Sequence, residues 1–433
     1  MLYRNQLPSD AARYTVEQLE FQPNIDHGIT DDVLANILAD CPNIQGASLS
    51  GIPDLTDRTV ILLARSASSL REIDLSGCQQ ITNLSIFELA SQATSLEVVK
   101  LNHVVTLTDP SISALALSLP HLITLELSHL PFITASSVRD IWTFARTLRK
   151  LKLARCPQIT DKGFPSISTE PSADMHRFAG SWLDILPPLI LPSHHILEDL
   201  RTLDLSFCYK LTDQAIAGIV RHAPKIQQLY LAGCVELTDN ALRNVAQLGH
   251  FLEVLSVAHL EKITDRGVTL LVRDCPRLKS VDISYCLQLT DLAITELGSL
   301  PFLRRLSVIS LHNLTDNAIF FLAEHAQNLA RVHLSQCPQI SLEAFQAMIK
   351  KLVKLEHVHA CGIPSLKRVG IKRFSKVAPR GYDRRFQGPF RVFEGNAIDE
   401  LRFFLDKEDR RRWECEKRNI IYEPRGDDSE DLY

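Results

Sequence analysis

The chain has no apolar run near the roughly 18 residues that would suggest a membrane span. Its start, MLYRNQLPSDAARY, lacks the basic-then-apolar signature of a secretory leader. The formal charge of −4 gives no global reason to expect nucleic acid as a partner. There is no Cys-x-x-Cys pair of the kind that holds zinc, no glycine-rich phosphate loop and no nucleophile elbow. Together these absences argue against a membrane protein, a nucleic-acid binder and an enzyme. Ten cysteines without a leader point instead to free thiols in a reducing compartment, the cytoplasm or the nucleus. With 45% hydrophobic and 23% charged residues over 433 positions, the chain has the composition of an ordered soluble protein.

What is present is a period. A short apolar-Thr/Ser element begins at Ile29, Leu55, Ile81, Leu107, Ile133, Ile159, Leu211, Leu237, Ile263, Leu289, Leu314 and Ile340. The steps are 26 residues, with one of 25 and one of 52. Self-similarity of this length marks a solenoid, and the apolar spacing selects the leucine-rich-repeat type. Each copy has two halves. LREIDLSGC (70–78) alternates Ile73 and Leu75 inward with Glu72, Asp74 and Ser76 outward, which suits a short strand. TDRTVILLARSA (56–67) carries a helical pattern, with Thr56 as N-cap, Asp57 at the positive end of the helix dipole and an apolar stripe of Val60, Leu63 and Ala64. One strand and one helix cannot bury both faces alone, but stacked copies can. The expected fold is therefore α/β, a ribonuclease-inhibitor-like horseshoe with parallel strands on the concave face and helices on the convex face.

The cysteines follow the same period. Cys78, Cys156, Cys208, Cys234, Cys286 and Cys337 share one repeat position, which Val104, Leu130, Leu260 and Leu311 occupy in other copies. A position that accepts Val, Leu or Cys calls for a modest apolar group, so these thiols are expected in the core.

Three stretches break the pattern. Residues 1–12 precede the array, which runs over 13–364, with Val16, Leu19 and Phe21 as the strand of a first irregular copy. The proline-rich stretch at about 164–196 keeps phase without the repeat motif. It reads as a loop inserted in place of a helix, or a degenerate repeat, and serves either as a tolerated surface insertion or as a partner contact. Residues 365–420 read as a capping region. Its basic, aromatic-rich part (367–391) favours a solvated cap over a nucleic-acid surface, and the segment 396–418 reads as a helix with Asn396 as cap and Asp399 and Glu400 in its first turn. The acidic end, 421–433, is expected to be disordered.

At this point the residues carry a family likeness. The repeats LRTLDLSFCYKLTD, LKSVDISYCLQLTD and LARVHLSQCPQIS resemble those of F-box leucine-rich-repeat proteins, the substrate receptors of SCF ubiquitin ligases. Three further segments are similar to the fungal glucose-repression-resistance type: the re-entry HHILEDLRTLDLSFC (194–208), the shortened repeat LGSLPFLRRLSVISLHNLTDNAI (297–319) and the tail RFSKVAPRGYDRRFQGPFRVFEGNAIDELRFFL (373–405). The likeness covers roughly Ala12 to Asp406. It implies selection of target proteins, phosphorylated cyclins or nutrient-signalling proteins, for ubiquitin-dependent degradation. One feature departs from the family: no F-box, the module that grips the adaptor, is recognisable ahead of the repeats. The adaptor and cullin are expected partners if an F-box lies upstream of Met1. Otherwise the chain resembles F-box-less relatives such as the antagonist-of-mitotic-exit family, a scaffold or decoy with no ligase role.

The family's concave surface takes phosphorylated segments, and the repeat period says which side chains would line it here. Lys100, Lys150, Lys152 and Arg155 form one basic group before the insertion, and Arg305, Arg331, His333 and His359 a second. Tyr230 lies on the same face, with Asp204 and Asp282 between the groups. His333 and His359, one repeat apart, have the chemistry to chelate a metal, but no third ligand is evident in the sequence. Neither a metal site nor a cofactor is expected.

Overall fold

The computed structural model describes residues 1–4, 6–21, 29–167, 186–367 and 369–422. The middle of the proline-rich insertion and nearly all of the acidic tail lie outside these residues. The chain divides into two compact units, Met1–Glu236 and Leu237–Tyr433.

Among the described residues of the first unit nine three-residue strands follow one another: β1 (Leu2–Arg4), β2 (Gln18–Glu20), β3 (Gly46–Ser48), β4 (Glu72–Asp74), β5 (Val98–Lys100), β6 (Thr124–Glu126), β7 (Lys150–Lys152), β8 (Thr202–Asp204) and β9 (Gln228–Tyr230). Each pairs in parallel with the next. Six α-helices of the described residues return behind them: α1 (Asp31–Leu38), α2 (Asp57–Ser66), α3 (Asn83–Gln92), α4 (Asp109–Ser118), α5 (Ala135–Phe144) and α6 (Asp213–His222).

The second unit repeats the scheme with β10 (Val254–Ser256), β11 (Ser280–Asp282), β12 (Arg305–Ser307), β13 (Arg331–His333) and β14 (His357–His359), all parallel. Its helices are α7 (Asp239–Ala246), α8 (Asp265–Asp274), α9 (Asp291–Gly298), α10 (Asp316–His325) and α11 (Leu342–Lys351). Beyond them come α12 (Val369–Lys372), α13 (Arg384–Gln387), β15 (Val392–Glu394) and α14 (Asn396–Lys417). The fold is the leucine-rich-repeat solenoid. No helix of the described residues is long and apolar enough to cross a membrane.

The two sequence periods become two buried layers. The middle residue of each strand from β2 on, such as Ile73, Val99, Leu125, Leu151 and Leu203, is buried, while its neighbours on most strands keep partial contact with water. Val60, Leu63 and Ala64 close the layer from the helix side. Between the layers lie the six repeat cysteines, all fully buried. Each thiol donates to the carbonyl oxygen of an apolar residue in the preceding copy, as in Cys78 to Leu49 at 3.2 Å, Cys208 to Leu153 at 3.2 Å and Cys286 to Val257 at 3.1 Å. Burial pushes the thiols up, to about 11 for Cys78 and Cys156 and about 12 for Cys234 and Cys286. They are packing groups with a weak hydrogen bond.

The helix starts hold a second periodic device. Thr56 does stand at the N-cap of α2, but its side chain accepts no bond from that helix. Its N–H and hydroxyl both donate to the Asp31 carboxylate of the preceding copy, at 2.8 Å each. Asp57 does the same for Thr82 (2.8 and 2.5 Å), Asp109 for Thr134 (2.8 and 2.5 Å) and Asp265 for Thr290 (2.9 and 2.7 Å). The aspartate expected only to complement a helix dipole therefore ties its copy to the next in these repeats, in a charge-assisted pair of bonds.

At the 52-residue step β7 pairs directly with β8, Lys150 opposite Thr202. The described part of the insertion supplies a 3-10 turn, Asp161–Gly163, and a bridge from Pro165 to Leu189. Gly218 in α6 is what allows the insertion so close, because a Cβ there would lie 1.6 Å from the Pro165 carbonyl oxygen.

At the far end β15 runs antiparallel to β14 and so covers an edge that would otherwise present unpaired backbone. Arg402 of α14 donates to the carbonyls of Ile349 (2.8 Å) and Leu352 (2.6 Å) at the end of α11, where the helix leaves acceptors unsatisfied. The N-cap of α14 is Gly395, at φ 54°, rather than Asn396, which is the first helical residue.

Candidate functional site

Because the middle residue of the strands β2 to β14 points into the core, the first and third point away from the helices. These outward positions, together with the residue that follows each strand turn, make the candidate surface. It is described separately for the two units.

In the first unit the lysines expected to form a basic group are already engaged. Lys100 Nζ lies 2.8 Å from Glu72 and 4.0 Å from Asp74. Lys150 and Lys152 both reach Glu126, at 2.6 and 3.3 Å, and Asn102 donates to its other oxygen at 3.1 Å. Burial of Glu126 would raise its pKa, but the Lys150 and Asn102 hydrogen bonds and the Lys152 charge outweigh it and hold the carboxyl below its ordinary value. For Lys100, burial pulls down while Glu72 pulls up, and Glu72 wins. Asp204 accepts from the Ser206 N–H at 3.0 Å, a local turn bond that leaves it part of the strand end. Tyr230 is half-buried in the same row, opposite Asp204.

Arg155 is different. It is exposed, at φ 57°, and its guanidinium lies 4.3 Å from the Phe207 ring centre. The same repeat position is left-handed in every copy where it is described. Glycine fills it at Gly51, Gly77, Gly233 and Gly362, but side chains fill it at His103, His129, Arg155, Phe207, His259, Tyr285, Ser310 and Gln336. A left-handed residue with a side chain costs about 1–2 kcal/mol, so these eight residues mark a repeat position where side chains matter. Several stack: His103 on His129 at 3.8 Å, and His259 on Tyr285 at 4.2 Å. Burial, then the nearby His103 and Arg155 charges, lowers His129. A Cβ on Gly233 would meet the Phe207 ring at 2.4 Å, so the glycine makes room for the ring. Within each unit these residues form a left-handed row, His103, His129, Arg155 and Phe207 in the first and His259, Tyr285, Ser310 and Gln336 in the second, and their shared spacing, one residue before the cysteine position, is the sequence signal that marks it.

In the second unit Arg305 and Arg331 stand directly opposite each other on β12 and β13, both exposed, and no carboxylate pairs with either among the described residues. His333 is held by Ser335, Nε2 to Oγ 3.0 Å, and burial followed by the His359 charge depresses it to about 4. Its ring lies 4.7 Å from that of His359. His359 in turn faces His357, and Glu394 on β15 lies opposite His357. Asp282 accepts from the Ser284 N–H at 3.1 Å and hydroxyl at 2.6 Å, again a strand-end turn. Thus Arg305, Arg331, His333 and His359 share one surface, while Lys100, Lys150 and Lys152 are spent on internal ion pairs and Arg155 is cationic and open.

Three comparisons bear on this surface. The family model described as Leucine Rich repeat matches residues 144–164, which include β7. The SCF E3 ubiquitin ligase complex F-box protein pof2 of Schizosaccharomyces pombe is 28% identical over 110 residues, 25% of this chain and 24% of that protein. The match thus spans about a quarter of that relative's length. A chain in the crystal structure of the Rad7 and Elc1 complex in yeast superposes with a TM-score of 0.57 at 19% identity, over 77% of this chain and 79% of that one. That likeness is one of fold: the chain shares with it the stacked strand-helix repeat.

Proposed function

We propose that this chain is a recognition subunit, not an enzyme, that selects phosphorylated target proteins for an SCF-type ubiquitin ligase in the cytoplasm or nucleus. The observation that carries the reading is the pair Arg305 and Arg331. Two guanidinium groups in register on strands about 4.8 Å apart repel each other, and like charges so placed cost stability unless an anion lies between them. A phosphoryl group accepts from both in fork geometry. Each charge-assisted hydrogen bond contributes about 1.5–3 kcal/mol, and micromolar affinity needs about 8 kcal/mol. The arginines therefore require further contacts, and the half-buried outward positions of the neighbouring strands offer them. The ligase link is supported by the similarity to pof2, an F-box protein of an SCF complex. The finer assignment, to the fungal glucose-repression-resistance type with cyclins or nutrient-signalling proteins as targets, rests on the sequence of the re-entry and of the tail at 373–405.

The test is affinity purification of the full-length gene product from its own cells, probed for the SCF adaptor and cullin. Recovery of both in stoichiometric amounts supports the ligase role. Recovery of target proteins with neither would overturn it and leave a scaffold or decoy that uses the same surface.

A further inference from the structure

We propose that His357, His359 and Glu394 form a binding site for a divalent transition metal of the zinc class, which clips the terminal strand β15 to β14. The proposal goes beyond target recognition and does not depend on it.

The geometry comes from two simple features of strands. His357 and His359 are two residues apart on β14, so both side chains leave the same face. Their rings are 4.4 Å apart and their Nε2 atoms face each other at 2.5 Å. Two imidazole nitrogens this close cannot both carry a proton, so at least one lone pair is directed into the gap. The third ligand comes from far along the chain, because β15 turns back antiparallel and sets Glu394 opposite His357, its Oε1 3.0 Å from His357 Nδ1. One nitrogen of each histidine and one oxygen of Glu394 all lie within 4.8 Å of one another.

Two imidazoles and a carboxylate are a borderline donor set that suits zinc, copper or nickel and disfavours magnesium and calcium. Nitrogens on a tetrahedral zinc, each about 2.0–2.1 Å from the ion, lie about 3.3 Å apart. Opening the present Nε2 pair to that spacing needs a ring displacement of less than about 1 Å. All three residues are only half-buried, so water can complete the coordination.

The surroundings contain both a competitor and a support. Lys376 Nζ is bonded to Oε2 of Glu394. With the metal bound, Oε1 turns from His357 to the ion while Lys376 keeps Oε2, the outer-shell bond that ligating carboxylates usually have. Arg331, in register with His357, adds a further positive charge nearby. His333 stands beside His359, but its Nε2 is engaged with Ser335, so it is not assigned as a ligand. A proton shared between the imidazoles competes with the metal for the same gap.

The experiment uses tag-free full-length protein stripped with a chelator. Zinc chloride is titrated in by calorimetry, cobalt chloride is followed by its visible bands, and thermal denaturation is recorded with and without zinc. The expected result is one equivalent of zinc bound at micromolar affinity or tighter, a raised melting temperature and no response to magnesium. His357→Ala and Glu394→Gln should each weaken binding by about tenfold or more, while His333→Ala leaves it unchanged. The far-UV circular dichroism of the stripped variants should match that of the stripped parent. No saturable zinc binding in the parent would overturn the proposal. So would binding that survives unchanged in Glu394→Gln, the variant least able to disturb the fold. Failure of either kind leaves the Arg305–Arg331 reading untouched, because no peptide enters the measurement.

Discussion

Lys150 and Glu126 meet at 2.6 Å across neighbouring strands of the first unit, and Lys152 shares the same carboxylate oxygen at 3.3 Å. Glu126 is only 6% exposed, so its charge depends on these two cations. Replacing either lysine alone by Met should cost less than about 1 kcal/mol, because each is itself partly exposed. Replacing both should cost more than the sum, since the buried carboxylate is then left with Asn102 alone. Chemical denaturation of the two single variants and the double one measures the difference.

The same carboxylate sets a pH dependence. Its pKa is lower in the folded chain than the ordinary 4.5. The unfolded chain therefore takes up the proton first as pH falls, and the stabilisation from Glu126, complete at neutral pH, is lost progressively below about 4.5. Denaturation midpoints measured from pH 7 to 3 should fall less steeply in Glu126→Gln than in the parent.

The aspartate ladder gives a prediction with an internal control. Asp265→Ala removes the acceptor for both the Thr290 N–H and its hydroxyl, and should cost about 2–3 kcal/mol. Asp265→Asn should cost distinctly less, because Asn83 naturally serves Thr108 the same way, accepting from its N–H at 3.0 Å and donating to its hydroxyl at 2.7 Å. Thermal denaturation of both variants decides.

All ten cysteines are free thiols, and only Cys361 and Cys415 are even partly exposed. A thiol reagent added to native protein at pH 8 should label at most these two, and all ten after unfolding. Cys208→Val should fold with a loss below about 1.5 kcal/mol, since Val104 fills the equivalent position. Cys208→Ala, which leaves a cavity, should lose more.

Gly218→Ala should destabilise the first unit, since the new methyl would collide with the Pro165 carbonyl rather than with a yielding side chain. Limited proteolysis should then cut near Pro165 at lower protease concentrations than in the parent.

Much of the fold was legible because each of its rules is local and repeated. Ile73 and Leu75 announce a strand, Val60 and Leu63 a helix stripe, and Cys78 with its Val and Leu counterparts a core position. The lysine row was also legible, but not its neutralisation. That required subtracting the repeat length from Lys152 and finding Glu126 on the adjoining strand. The Asp–Thr ladder escaped because Asp57 was weighed within its own helix, whereas its partner Thr82 lies 25 residues on. Glu394 was beyond reach for a different reason. It stands beside His357 only because the chain leaves the repeat, returns and reverses direction in β15, and no periodic rule describes that path. The helix start at Gly395 was missed for the same reason, since its left-handed turn belongs to the reversal.

The most direct test of the account is fluorescence anisotropy with a degenerate phosphoserine and phosphothreonine peptide library and its unphosphorylated counterpart. The parent chain should retain the phosphorylated library preferentially, and Arg305→Glu with Arg331→Glu should abolish that preference while Lys150→Met leaves it intact. Equal binding of the two libraries by the parent, or an unaltered preference in the double arginine variant, would contradict it.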